Sequence, residues 1–94
     1  MITTIQGKPN EDKMSLALKI ADGKKRQITT LTSEPNCFTF SFLEHDTEIL
    51  IIRDVKKEFL DELYFIFRLD KIIIEKQGEQ PYSVKTPDVV LILN

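Results

Sequence analysis

One cysteine in 94 residues, Cys37, excludes an intrachain disulfide. That favours a reducing compartment, or a fold indifferent to redox. Only three glycines are present, Gly7, Gly23 and Gly78, and they are far apart, which excludes a glycine-rich phosphate loop. A single histidine, His45, cannot complete a zinc site, and no Cys-x-x-Cys exists to help it. Long apolar runs are missing too. The longest, residues 63–67 and 89–93, hold five residues each, against the roughly twenty that a membrane span needs. The opening "MITTIQGKPN" has no apolar stretch of the kind a signal peptide carries. A formal charge of −2 and a pI near 5.4 give no general attraction for a polyanion. Wholesale binding to nucleic acid or an anionic membrane is therefore disfavoured unless cations cluster locally. No repeat or low-complexity tract appears. The expectation is a cytoplasmic protein without membrane contact.

What is present suits a folded domain. Hydrophobic residues make up 41% and charged residues 30%, too apolar for disorder. Residues 1–94 read as a single globular domain. At this size roughly 60–65% of the unfolded surface is buried, so most large apolar side chains are needed in the core. Abundant Ile and Lys with little Ala and Arg is a compositional hint of AT-rich coding, as in many Gram-positive bacteria and their phages.

Along the chain, "MITTIQ" reads as a short strand and "GKPNEDK" as a polar connection. In "MSLALKIA", residues 14–21, Met14, Leu16, Leu18 and Ile20 alternate with Ser15, Ala17, Lys19 and Ala21. The "DG" that follows is a strong hairpin signal, with "KRQITTLT" as the return strand. Ile28 and Leu31 have opposite parity there, which predicts a bulge or a change of sheet face. After "SEPN" a strand is expected over residues 37–43, then an "EHDT" turn and an "EILII" strand. Asp54 is placed as N-cap of a long helix, "VKKEFLDELYFIFRLD", whose stripe is Val55, Phe59, Leu60, Leu63, Ile66 and Phe67. "KIIIEK", "YSVK" and "VVLIL" complete the strands, and the last, wholly apolar, suits a central strand covered on both faces. The fold expected is α+β: a mainly antiparallel sheet with one long helix on one face, in the order β-β-β-β-β-α-β-β-β.

Phe38, Phe40 and Phe42 are spaced two apart, which puts three rings on one face of a strand. They would serve as core or as an exposed stacking platform for bases. A platform needs cations beside it, and residues 37–52 contain no Lys or Arg. Each buried Phe contributes roughly 1.5–3 kcal/mol, and a small domain with an amphipathic helix to bury needs that face. The core reading wins.

Chemistry is thinly represented. Glu44, His45, Asp46 and Glu48 gather in "EHDTE", but as one exposed turn rather than a set of ligands drawn from several elements. "TPD" opens some metal-dependent nuclease sites, yet the Asp/Glu-x-Lys expected on a following strand is absent, and Glu11-Asp12-Lys13 comes too early in the chain. No serine has a nucleophile setting, and Cys37 with His45 lacks a third partner. No enzymatic activity, metal or cofactor is expected. The sharpest basic feature is "DGKKRQ", where Lys24, Lys25 and Arg26 form a hairpin tip able to touch phosphates; the plainer reading is a solubilising, edge-protecting turn. In the helix, Phe65 and Leu69 fall off the core stripe as an i, i+4 pair, with Tyr64 also outside it. Either the segment "QGEQPYSVKTPD" (residues 77–88) covers that end, or it is a contact surface for another chain. The preferred function is a non-enzymatic interaction domain, a regulator, inhibitor or adaptor of the kind phages and mobile elements encode. It binds a protein partner or forms a homodimer through Tyr64, Phe65, Arg68 and Leu69. Nucleic-acid binding through Lys24, Lys25 and Arg26 is the alternative.

Overall fold

Two stretches without a polar residue, 49–52 and 89–93, organise the molecule. A strand apolar on both faces has to be roofed twice, and that is the setting of a parallel sheet. The computed structural model of the chain describes residues 1–7, 10–31, 35 and 40–94. Its elements are β1 (Ile2–Ile5), α1 (Asn10–Ile20), β2 (Arg26–Thr30), β3 (Ile49–Val55), a 3-10 turn (Lys57–Phe59), α2 (Leu60–Phe67), β4 (Lys71–Ile74), β5 (Tyr82–Lys85) and β6 (Asp88–Leu93). Strands β1-β6-β3-β2 form one sheet in that order, every neighbouring pair parallel. β4 and β5 form a separate antiparallel pair.

The two central strands, β3 and β6, send alternate residues to opposite faces. Ile49, Ile51, Val90 and Ile92 meet Ala17 of α1 and Ala21 just past its end, flanked by Met14, Leu18 and Ile20. Leu50, Ile52, Val89 and Leu91 meet a composite cover: Leu63 and Phe67 of α2, Phe40 and Leu43, and the inward residues of the β4–β5 hairpin. The β1-to-β2 crossing runs over the α1 face. Of the β2-to-β3 connection, the described residues Leu31, Phe40 and Leu43 lie on the other face, as do α2 and the hairpin that join β3 to β6. The β3-to-β6 crossing thus runs in the opposite direction over the opposite face, and shares one hand with the β1-to-β2 crossing.

The expected antiparallel sheet under one long helix is thus corrected to a parallel four-stranded sheet with two short helices and a small hairpin. The largest error lies in residues 14–21, expected as a strand but folded as the later part of α1 and, at Ala21, the turn that ends it. Met14, Ala17, Leu18 and Ala21 also repeat at i, i+3, i+4 and i+7. Met, Leu, Ala and Lys all favour helix, so the helical period prevails over the alternation. Residues 10–13, expected as a connection, are its first turn; Lys8 and Pro9 lie outside the described residues. The "DG" that suggested a hairpin ends the helix instead. Gly23 takes φ +75°, and the Lys24 N–H donates to the Ala21 carbonyl at 3.0 Å, a glycine-terminated helix end.

Other boundaries move as well. In the expected strand 37–43, residues 37–39, Phe38 among them, lie outside the described residues. Residues 40–42 form a turn, closed by the Leu43 N–H to the Phe40 carbonyl at 2.9 Å. Phe40 is fully buried and meets Phe67 edge-on at 5.5 Å between centroids, whereas Phe42 is exposed. Asp54 is not a helix cap. It sits inside β3 at φ 54°, where the β3–β6 register shifts between Ile52 and Val55; Asp tolerates that left-handed conformation. The β2–β3 register is unbroken over Arg26–Thr30, so β2 does not carry the bulge expected from Ile28 and Leu31; the β3–β6 shift is a separate feature. No helix among the described residues is long and apolar enough to cross a membrane.

Ala17 distinguishes the two arrangements of residues 14–21. It is fully buried under α1, so Ala17→Leu should overpack the helix–sheet contact and cost about 1–3 kcal/mol in denaturant unfolding. An alternating strand would turn Ala17 to solvent and lose nothing.

Candidate functional site

α2 spans only eight residues and uses one face. Leu63 and Phe67 point into the core, which leaves Phe65 on the far side, 67% exposed. Tyr64 is half-buried: its hydroxyl shares a hydrogen bond with Thr4 Oγ1 of β1 at 2.9 Å, and its ring carries the Arg68 guanidinium at 5.8 Å. The four residues singled out in sequence therefore divide. Tyr64 engages Thr4 of β1 and the Arg68 guanidinium, while Phe65 and Leu69 project outward.

The helix ends at Phe67, and the Leu69 N–H closes the last turn on the Ile66 carbonyl at 3.2 Å. Leu69 is left 45% exposed and is followed at once by β4, whose Ile73 is 58% exposed. β5 pairs with β4 and the Thr86 hydroxyl donates to the Leu69 carbonyl, but residues 77–88 leave Phe65 and Leu69 uncovered. Between α2 and β4 lies a groove of about 280 Å³, lined by Phe40, Ile66, Leu69, Ile72 and Ile73 with Lys71 and Glu75. Ile73 and the groove were missed in sequence. The signal was the middle residue of "III": in a strand flanked by charges, its parity is opposite to that of Ile72 and Ile74.

The charged runs 24–26 and 44–48 meet at the amino ends of β3 and β6. Lys25 pairs with Asp46 and with Glu44 at 3.3 Å, and its backbone N–H donates to Glu48 Oε1 at 2.9 Å. Lys24 reaches Asp88 at 3.1 Å, which also takes the Met1 ammonium at 2.9 Å. Gln27 bridges the same corner: its Nε2 donates to the Phe42 carbonyl at 3.2 Å, and its Oε1 accepts the Glu44 N–H at 3.0 Å. His45 stacks on Tyr82 with centroids 4.9 Å apart. A hollow of about 370 Å³ beside these groups presents both signs, from Lys24 and Lys85 against Asp46, Glu48 and Asp88, with His45 also in its lining. Of the basic triplet, only Arg26 has no ion pair among the described residues. No cluster of three His, Cys, Asp or Glu side chains is arranged to hold a metal among them either.

No family model matches the chain, and no curated protein matches its sequence.

Hydrogen bonds from Asp46 and Glu44 hold the Lys25 ammonium above its ordinary pKa, and the Lys25 bond holds Asp46 below the usual carboxylate value. Asp88 is lowered by the Met1 ammonium and then by Lys24, against the opposing effect of partial burial. A depressed carboxylate stabilises the fold fully above its unfolded value of about 4, and that stabilisation is lost as pH falls through the lower folded value. Asp88→Asn should therefore flatten the acid limb of the stability–pH curve below about pH 4. An acid limb identical to the wild type's would contradict this role.

Proposed function

We propose that the chain is a protein-interaction domain that binds a protein partner, a second copy of itself included, through the apolar surface at the carboxyl end of α2. The observation that carries this reading is an apolar groove bordered by the exposed Leu69 and Ile73, with Phe65 exposed on the outer side of α2, in so small a domain. Large apolar side chains are needed in the core at this size, so several left together at one corner point to a contact surface. A regulator, inhibitor or adaptor is the class such a domain fits. Assignment to mobile-element biology rests on composition and analogy. Phosphate binding at the tip of residues 24–26 gains no support, because Lys24 and Lys25 face carboxylates and Arg26 would act alone.

The test is the double variant Phe65→Asp plus Leu69→Lys, with Ile28→Asp on exposed β2 as the control. Binding is read as self-association by light scattering and as proteins captured from the native host. The patch variant should lose what the wild type and the control bind, with thermal stability changed little because both residues are exposed. Equal binding by all three proteins would remove the patch.

A further inference from the structure

β4 has one partner among the described residues, β5, and its other edge borders the apolar groove. The orientation of that edge follows from the ladder. Lys71 lies opposite Lys85 and Ile73 opposite Ser83, and one step further out the Thr86 N–H donates to the Asp70 carbonyl at 3.1 Å. Bonded and non-bonded pairs alternate in an antiparallel ladder. Ile72 and Ile74 therefore bond to β5, and the N–H and C=O of Lys71 and Ile73 point away from it. Among the described residues these groups have no backbone partner, and groups left so template another strand.

We infer that this edge pairs, antiparallel and about a two-fold axis, with β4 of a second copy of the chain, making one four-stranded sheet in the order β5-β4-β4-β5. The inference rests on the interaction reading above and names its partner. What selects a second copy is the charge pattern of "DKIIIEK", residues 70–76. Set antiparallel to itself with Ile73 opposite Ile73, the stretch places Asp70 against Lys76, Lys71 against Glu75, and Ile72 against Ile74. Every charge meets its opposite and every isoleucine meets an isoleucine. Side chains directly opposite must share a face, so the neighbouring registers lie two residues away in either direction. Centred on Ile72, the pairing sets Asp70 against Ile74; centred on Ile74, it sets Ile73 against Glu75. Only the Ile73 register is complementary throughout, and a two-fold interface is self-complementary in this sense.

Two further observations agree. Within one protomer Lys71 faces Lys85, a like-charge pair that costs stability, and Glu75 of the second copy would bring a carboxylate to it. A lysine on a strand edge usually blocks pairing, but here each edge lysine has an acid waiting in the partner. Ile73, exposed in one copy, would be covered by its counterpart.

The experiment is sedimentation equilibrium on the full chain up to about 1 mM, where even a Kd of about 1 mM registers. The wild type should dimerise. Lys71→Glu alone and Glu75→Lys alone should each weaken the dimer about tenfold or more, since two attractive pairs become repulsive. An equimolar mixture of the two variants should restore it, because every pair then joins opposite charges. Lys71→Glu also relieves the clash with Lys85, so loss of folding is not its expected effect. Ile73→Pro, which replaces an exposed side chain and removes an N–H that β5 does not use, should give a folded monomer. A monomeric wild type overturns the inference, as does a dimer that the charge variants and Ile73→Pro leave intact. In either case the wider reading stands or falls separately, on whether Phe65→Asp plus Leu69→Lys abolishes capture of another protein.

Discussion

The parallel pairing of β3 and β6 is the constraint from which the rest of the molecule follows. Residues 49–52 and 89–93 are buried on both faces of the sheet, so neither strand can exist without two covers. On one side the cover is simple: two alanines, Ala17 and Ala21, let α1 lie close on the isoleucines and valines beneath. On the other side α2 is too short for the task. Phe40, Leu43 and the inward isoleucines of the hairpin complete it. The hairpin is thus present as roofing, and its outer edge is a by-product of that role.

From this construction comes the division between the two ends of the molecule. At the amino ends of β3 and β6, loops carrying both signs of charge satisfy one another, and Lys24, Lys25, Asp46 and Asp88 are taken up in ion pairs. Where α2 turns into β4, the chain is apolar on more sides than the sheet can use. Leu63 and Phe67 are inside; Phe65, Leu69 and Ile73 are not. Electrostatics at the first end is an internal matter, and the surplus of apolar surface at the second supports the interaction reading.

Much of the sheet was legible in the sequence, and its topology was not. Strands 2–5, 71–74, 82–85 and 88–93 follow from their β-rich runs and flanking turn residues, and the apolar run 89–93 does mark a central strand. A buried run says that both faces are covered but not which strands lie beside it. The hairpin signal at Asp22-Gly23 was ambiguous, because a positive-φ glycine serves a helix end as well as a type I′ turn. Reading residues 14–21 as a strand turned one crossover into a hairpin, and with it a parallel sheet into an antiparallel one. The outward pair Phe65 and Leu69 was legible from its angle off the core stripe. Ile73 was not, because which face of a three-isoleucine strand is buried depends on what packs over it.

The most direct measurement is amide hydrogen exchange at Lys71, Ile72, Ile73 and Ile74, followed in dilute and in concentrated protein. The account predicts that Ile72 and Ile74, bonded to β5, are protected at both concentrations. Lys71 and Ile73 should exchange freely when dilute and become protected when concentrated. Ile73 exchanging freely at every concentration, or protected equally at all of them, would contradict an open edge that closes on a second copy.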